Sequence, residues 1–331
     1  FTLVVPEERL GAFRDIPTLG TEQIRKPDDQ YKTPEEVDTY VHDLEKSFPE
    51  LVKVESIGKT SEGRDIWAVH LSNHFVSNGT QKPTILIDAM HHAREVMTVE
   101  VAFDIMDQLT SEYGTNKKIT QWMNDYSIWV VPMLNPDGNN RVWTQYSMWR
   151  KNTTDGWGVD VNRNYPYAWG SCNGSSSSPS SDTYRGKAAG SELETQALMN
   201  LAARLNPKFN LSYHSFSEIV IYPFGCSPKK VTDPDAQVYL KVGKELAKKL
   251  IPDSGNGFYD PGTSYELLYN VDGGSVDWMY AEHKIMSYVI EVNNDNQGFQ
   301  PAYNKWRDST VKRQRDGWQY LLDQMAGPGI K

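Results

Sequence analysis

Cysteine is scarce in this chain. Its 331 residues hold two, Cys172 and Cys226, whose spacing fits no zinc-binding motif. A chain of this length buries a sizeable core without disulfide support. Two readings of the pair stay open: separate buried thiols, or one disulfide if the protein is secreted. Long apolar runs are also missing. None approaches the ~18 residues that span a bilayer, and the longest, residues 128–134, is interrupted by Pro132. Positive charge is in deficit, with 34 Lys and Arg against 43 Asp and Glu and a net charge of −9. That argues against a nucleic-acid partner, which needs a basic face. Gly-x-Ser-x-Gly, phosphate-loop, Gly-x-Gly-x-x-Gly and His-Glu-x-x-His patterns are all absent. Serine hydrolases of the nucleophile-elbow type, nucleotide enzymes and helix-motif zinc peptidases are therefore disfavoured.

What is present is alternation of strand-like and helix-like segments. Residues 1–30 are rich in Pro, Gly and charge and read as an N-terminal arm or prosegment remnant. The chain opens at Phe1 without a signal-like segment, as expected of a processed protein. Thr33-Pro34-Glu35-Glu36 carries the signature of a helix start, and Val37, Tyr40, Val41, Leu44 and Phe48 follow at helical spacing. Strands are predicted over 66–71, 84–87, 127–131, 210–214 and 287–292, with helices over 95–109, 191–205, 235–250 and 303–325. Residues 135–162 and 170–181 read as long loops. No Pro/Ser linker divides the chain and no repeat is visible. The expectation is one α/β domain over 31–331: a mixed, mostly parallel twisted sheet with helices on both faces.

One cluster points to metal chemistry. In Met90-His91-His92-Ala93-Arg94-Glu95, His92 and Glu95 are spaced i, i+3 after a strand, which in a first helical turn puts both on one side. An imidazole and a carboxylate suit Zn²⁺. His214, at the end of a strand-like segment, is a candidate third ligand, and spacing alone leaves His91 open. Three protein ligands leave a fourth position for water, the pattern of a catalytic zinc. Glu291 is the lone acid in the apolar run Tyr288-Val289-Ile290-Glu291-Val292, an expensive placement unless it has a task.

The stretch around His92 resembles the His-x-Arg-Glu zinc motif of the carboxypeptidase A/B family. The likeness continues in order through Asn135-Pro136-Asp137-Gly138, Trp149-Arg150-Lys151-Asn152, Asp160-Val161-Asn162-Arg163-Asn164, Thr183-Tyr184-Arg185-Gly186, His214-Ser215-Phe216-Ser217, Tyr222-Pro223-Phe224-Gly225, Gly273-Gly274-Ser275-Val276-Asp277-Trp278 and Ile290-Glu291. It covers nearly the whole chain from about Gln30. The resemblance implies a secreted, monomeric zinc exopeptidase that removes C-terminal residues from peptides and proteins, with a prosegment or protein inhibitor as further partner and no nucleic acid or membrane. It assigns one Zn²⁺ to His92, Glu95 and His214. Glu291 would be general base to the metal's water, and Arg150 the oxyanion donor. Asn162, Arg163 and Tyr269 would hold the terminal carboxylate, Arg94 a more distant subsite, and Asp160 would orient His92.

The side-chain pocket implied by the same likeness is lined by Leu268, Val271, Gly274, Val276, Val289 and Ile221, none charged. Aromatic or large aliphatic C-terminal residues are therefore expected. Asp272 is the feature that would broaden this preference if it reached the pocket. A basic-specific enzyme and a silent binding module of the same fold are the alternatives. Lys151 is expected to be solvated. Val96, Phe216 and Asn293 depart from residues common in the family, and its usual disulfide is absent. The sequons at Asn78, Asn152, Asn173 and Asn210 matter if the source is a secreting eukaryote.

Overall fold

Thr33 starts the first helix, α1 (Pro34–Ser47), through a reciprocal cap: its hydroxyl accepts from the Glu36 N–H at 3.2 Å, and the Glu36 carboxylate accepts from the Thr33 N–H at 2.9 Å. Val37, Val41 and Leu44 are buried along one face, as their spacing predicts. The structure, a computed structural model, describes residues 26–73, 75, 82–226, 231 and 235–326. Most of the expected arm, and Asn78, lie outside the described residues.

The strands are β1 (Val52–Lys59), β2 (Asp65–Leu71), β3 (Thr84–Ala89), β4 (Ser127–Val131), β5 (Phe209–Ser215), β6 (Ile219–Ile221), β7 (Asp260–Gly262) and β8 (Met286–Val292). They form one sheet in the order β1-β2-β4-β3-β5-β8-β6-β7. Its centre, β4-β3-β5-β8, is parallel, whereas β1/β2, β2/β4 and β6/β8 are antiparallel. β3, β4 and β5 are buried at every position, because helices cover both faces. On one face pack α1, α2 (Met97–Ser111), α3 (Lys117–Asp125), α6 (Asp235–Lys249) and α9 (Tyr303–Gln324), around Trp122, Tyr239, Tyr288 and Trp318. On the other, α5 (Leu193–Leu205) and α8 (Ser275–His283) close over Leu198, Leu201, Trp278 and Met279. Among the described residues, no helix is long and apolar enough to cross a membrane.

Part of the loop expected over 135–162 is helical. Asn135 caps α4 (Pro136–Thr144) by accepting from the Gly138 N–H at 2.9 Å. The sequence Pro-Asp-Gly-Asn-Asn resembles a turn; burial decides otherwise. Asp137 is fully buried and takes hydrogen bonds from Thr60 (2.7 Å) and Arg64 (2.8 Å), which hold the helix start against the β1–β2 turn. A short α7 (Ser264–Leu267) follows β7. Cys172 and Cys226 are joined in a disulfide with Cα atoms 5.8 Å apart, tying the loop 170–181 to the segment after β6. Asn152 and Asn210 are completely buried, which leaves Asn173 as the exposed sequon among the described residues.

The parallel centre sets the position of the site. β3, β5 and β8 are neighbours, and His214 pairs with Glu291 across β5 and β8. The chain leaving β3 carries residues 90–95 to the same carboxyl edge. Such edges are where ligands bind in open α/β sheets.

Candidate metal centre and substrate pocket

His92 and Glu95 do not belong to the helix predicted from residue 95. α2 begins at Met97, and the two residues form a tight turn before it, with the Glu95 N–H bonded to the His92 carbonyl at 3.2 Å. The i, i+3 spacing still puts both side chains together: His92 Nδ1 is 2.7 Å from Glu95 Oε1. From β5, His214 Nδ1 comes within 3.2 Å of both His92 Nδ1 and Glu95 Oε2. All three are buried, and one donor atom from each lies within 4.8 Å of the others. Two ring nitrogens and a carboxylate facing one point is an arrangement that a divalent cation satisfies, and this donor set suits zinc. The residues fit the ion.

His91 is not part of this group. Its Nε2 lies 2.9 Å from the Tyr165 hydroxyl and its ring stacks on His214, with centroids 5.2 Å apart.

Charge around the centre is organised by Asp160. Its Oδ1 lies 3.2 Å from His92 Nε2, and Oδ2 takes both Nε (3.0 Å) and Nη2 (2.8 Å) of Arg150. The first contact is one that would favour the ring proton on Nε2 and leave Nδ1 free for a metal. Burial alone would raise the Asp160 carboxyl, but Arg150, Arg163 and His92 hold it well below the usual range. The same balance, won by His92 and His214 over burial, holds Glu95 ionised. Glu291 goes the other way. Burial and then the Glu95 charge push it up to about 8, although Arg150 and Arg163 pull against them. A carboxylate with raised proton affinity is a suitable proton acceptor near neutral pH.

The loop carrying Arg150 and Asp160 is anchored from below. Asn152 accepts from the Val159 N–H at 2.7 Å, and its amide donates to Glu192 (2.8 Å) and Glu194 (3.0 Å). Glu194 is buried beside Glu192, and burial pushes it up to about 7. The folded chain thus keeps a proton that the unfolded chain releases near pH 4.5, so stability declines as pH rises between these values. Glu194→Gln is expected to remove that decline. Equal to the parent near pH 5, it should be more stable by up to about 3 kcal/mol at pH 8.5. Urea unfolding at the two pH values checks this; identical pH dependence would contradict it.

A pocket opens to solvent beside the centre. It brings together His92, Glu95, Arg150, Asn162, Arg163, Tyr269 and Glu291 with Ile221, Leu268, Val271, Val276 and Val289. Arg94 stands outside the lining. Its guanidinium lies over the Phe299 ring, 4.1 Å from the centroid. Phe299, which does line the pocket, carried no signal in the sequence. Neither did the role of Lys151. Expected to be solvated, it is buried, and its ammonium donates to the carbonyls of Pro179 (2.8 Å) and Ser181 (2.9 Å). An ammonium is buried here because it satisfies two loop carbonyls. Asp272 is fully buried and turned away from the pocket, toward residues 172–175.

Comparison with known proteins agrees with this arrangement. Carboxypeptidase A1 of Bos taurus is 32% identical over 270 residues, covering 80% of this chain. The chain covers 62% of that relative's length. The crystal structure of a carboxypeptidase A from Helicoverpa armigera superposes with a TM-score of 0.78 at 27% identity, covering 89% of this chain and 73% of the other. Bovine thrombin-activatable fibrinolysis inhibitor, solved in complex with tick carboxypeptidase inhibitor, shares the fold with a TM-score of 0.79 at 24% identity, over 89% of this chain and 97% of the other. The zinc carboxypeptidase family profile matches residues 37–312, which include all three metal-facing residues and Glu291, and the chain belongs to that family.

Proposed function

We propose that this chain is a zinc-dependent carboxypeptidase that releases aromatic or large aliphatic residues from the C-termini of peptides and proteins. The observation that carries the reading is the pocket itself: a buried His-Glu-His group, a carboxylate of raised proton affinity and two arginines open onto one apolar recess.

An arginine in such a recess recognises a free carboxylate, because its planar fork matches both oxygens. Arg163 and Asn162 take this role, with Tyr269 at the mouth. The Asn162 side-chain oxygen, Oδ1, accepts from the Ser275 N–H at 2.9 Å, which leaves the side-chain amide nitrogen as the donor toward a ligand. His92, Glu95 and His214 would hold a zinc ion, which would supply Lewis acidity toward the attacking water and the substrate carbonyl. Glu291 removes the proton from the attacking water and passes it to the departing amine. Arg150, fixed in orientation by Asp160, donates to the oxygen on which charge develops. Arg94 and Phe299 would meet residues further back along the peptide.

Apolar preference follows from Ile221, Val276 and Val289, which form a small buried cluster with Leu268 packed against it. Asp272 contributes no charge to the recess, so no acid there compensates a lysine or arginine side chain. The enzyme is taken to act outside the cell as a monomer, subject to a prosegment or protein inhibitor. The disulfide suits an oxidising compartment.

The test is release of amino acids from peptides ending in Phe, Leu, Arg or Glu, with and without a chelator. Phe and Leu should be released fastest, and the chelator should abolish turnover. Val276→Asp is expected to raise kcat/KM for Arg-ending relative to Phe-ending peptides by about 100-fold. An unchanged ratio would put the specificity pocket elsewhere.

A further inference from the structure

Asp272 is an acid without a solvent contact, one turn ahead of α8. Its carboxylate is fully occupied by one short loop. Oδ2 accepts from the N–H groups of Cys172 (3.1 Å) and Gly174 (3.0 Å), and Oδ1 accepts from the Ser175 hydroxyl. The Asn270 amide adds a bond to the Cys172 carbonyl at 3.2 Å. The two segments touch so closely that a Cβ on Gly174 would come within 2.6 Å of the Asp272 nitrogen and 2.7 Å of the Asn270 carbonyl oxygen. Seated in this way, Gly174 presents its own carbonyl to Arg163 Nε at 3.0 Å. The same segment also fixes the Arg163 backbone from the other side. Gly273, at φ +65°, packs where a Cβ would meet the Arg163 carbonyl oxygen at 2.3 Å, and the Gly273 carbonyl accepts from the Tyr165 N–H at 2.9 Å.

We propose that Asp272 is the positioning residue for carboxylate recognition: by drawing residues 172–175 against its own segment ahead of α8, it sets Gly174 under Arg163 and aims the guanidinium into the pocket. A guanidinium has five N–H donors. Gly174 takes Nε and the Asn162 carbonyl takes one N–H of Nη1 at 2.8 Å, so the remaining N–H groups face the ligand in one orientation. Pre-orientation of this kind raises affinity by removing the cost of ordering a long side chain on binding. Without Asp272, two half-buried N–H groups lose their acceptor and the loop has no reason to keep Gly174 in place. The inference rests on the reading of Arg163 as the carboxylate clamp.

The experiment uses the full zinc-loaded chain and its Asp272→Asn, Asp272→Ala and Ser175→Ala variants. Two probes are compared as competitive ligands, 3-phenylpropanoate and its uncharged amide, together with steady-state kinetics on a Phe-ending peptide. For the Asp272 variants, KM and the inhibition constant of the acid should rise about tenfold or more, the amide should bind unchanged, and kcat should fall far less than KM rises. Ser175→Ala, which removes one of three donors and keeps the fold if Asp272→Ala does not, should move the acid in the same direction by about threefold. On an Arg163→Ala background, the Asp272 substitution should add nothing further. Equal weakening of acid and amide, or an unchanged constant for the acid, would overturn the proposal. A parent chain that binds the acid over the amide yet lacks metal-dependent turnover would sink the enzymatic reading while leaving the positioning role tested by the two probes.

Discussion

Glu291→Gln is expected to retain zinc and to lose about two to four orders of magnitude in kcat, the range for removing a general base. The side chain lines the pocket but is outside the set of residues that converge on the metal point, so the ion should bind with normal stoichiometry. The amide preserves shape and loses proton affinity. The parent carboxylate's raised proton affinity comes from burial and from Glu95. That environment stays in the variant and has nothing left to act on. KM for a Phe-ending peptide should change little, because Arg163 and the apolar recess are untouched. Near-normal kcat with one zinc bound would remove Glu291 from the role of base.

Arg150→Ala is expected to act on two levels. Arg150 donates through both Nε and Nη2 to one oxygen, Oδ2, of Asp160, and both residues are buried. Removing it strands a carboxylate that the arginine holds in its ionised form. Breaking one side of a buried pair costs about 3–5 kcal/mol of folding stability. His92 also leans on Asp160, so zinc affinity should fall with it. Arg150→Lys separates the two effects. An ammonium can keep the charge but not the fork. That variant should fold, bind zinc more nearly normally, and lose about 10²–10³ in kcat, as expected when an oxyanion donor is displaced. Thermal unfolding and zinc titration on both variants check the partition. A fully active Arg150→Lys would show that only the charge matters.

The metal group was legible in part: His92 and Glu95 three residues apart after a buried strand, with His214 near the end of another, suggest a metal, but spacing left His91 open and the family resemblance made the choice. Glu291 stood out as an acid in an apolar strand, and its role as base came from the family resemblance. The parallel centre of the sheet could be read from apolar runs, whereas β6 and β7, three residues each, are too short to leave a pattern. α4 was hidden because its sequence has turn composition and its stability comes from Asp137, whose partners Thr60 and Arg64 lie more than seventy positions away. Direction was the other hidden quantity. The sequence locates Asp272 beside the pocket residues but cannot say which way its carboxylate faces, and on that turns whether it selects substrates or positions Arg163. Lys151 is the same case: a lysine in a polar loop reads as solvated until two carbonyls 28 and 30 residues away close around it.

The most direct measurement is zinc bound per chain, set beside turnover, for the parent and for His214→Ala. One equivalent is expected in the parent, with hydrolysis of a Phe-ending peptide lost on chelation and regained on adding zinc. The variant should hold far less metal and be inactive. A chain that keeps cleaving in excess chelator, or a His214→Ala variant that still takes up a full equivalent at the same affinity, would contradict the account.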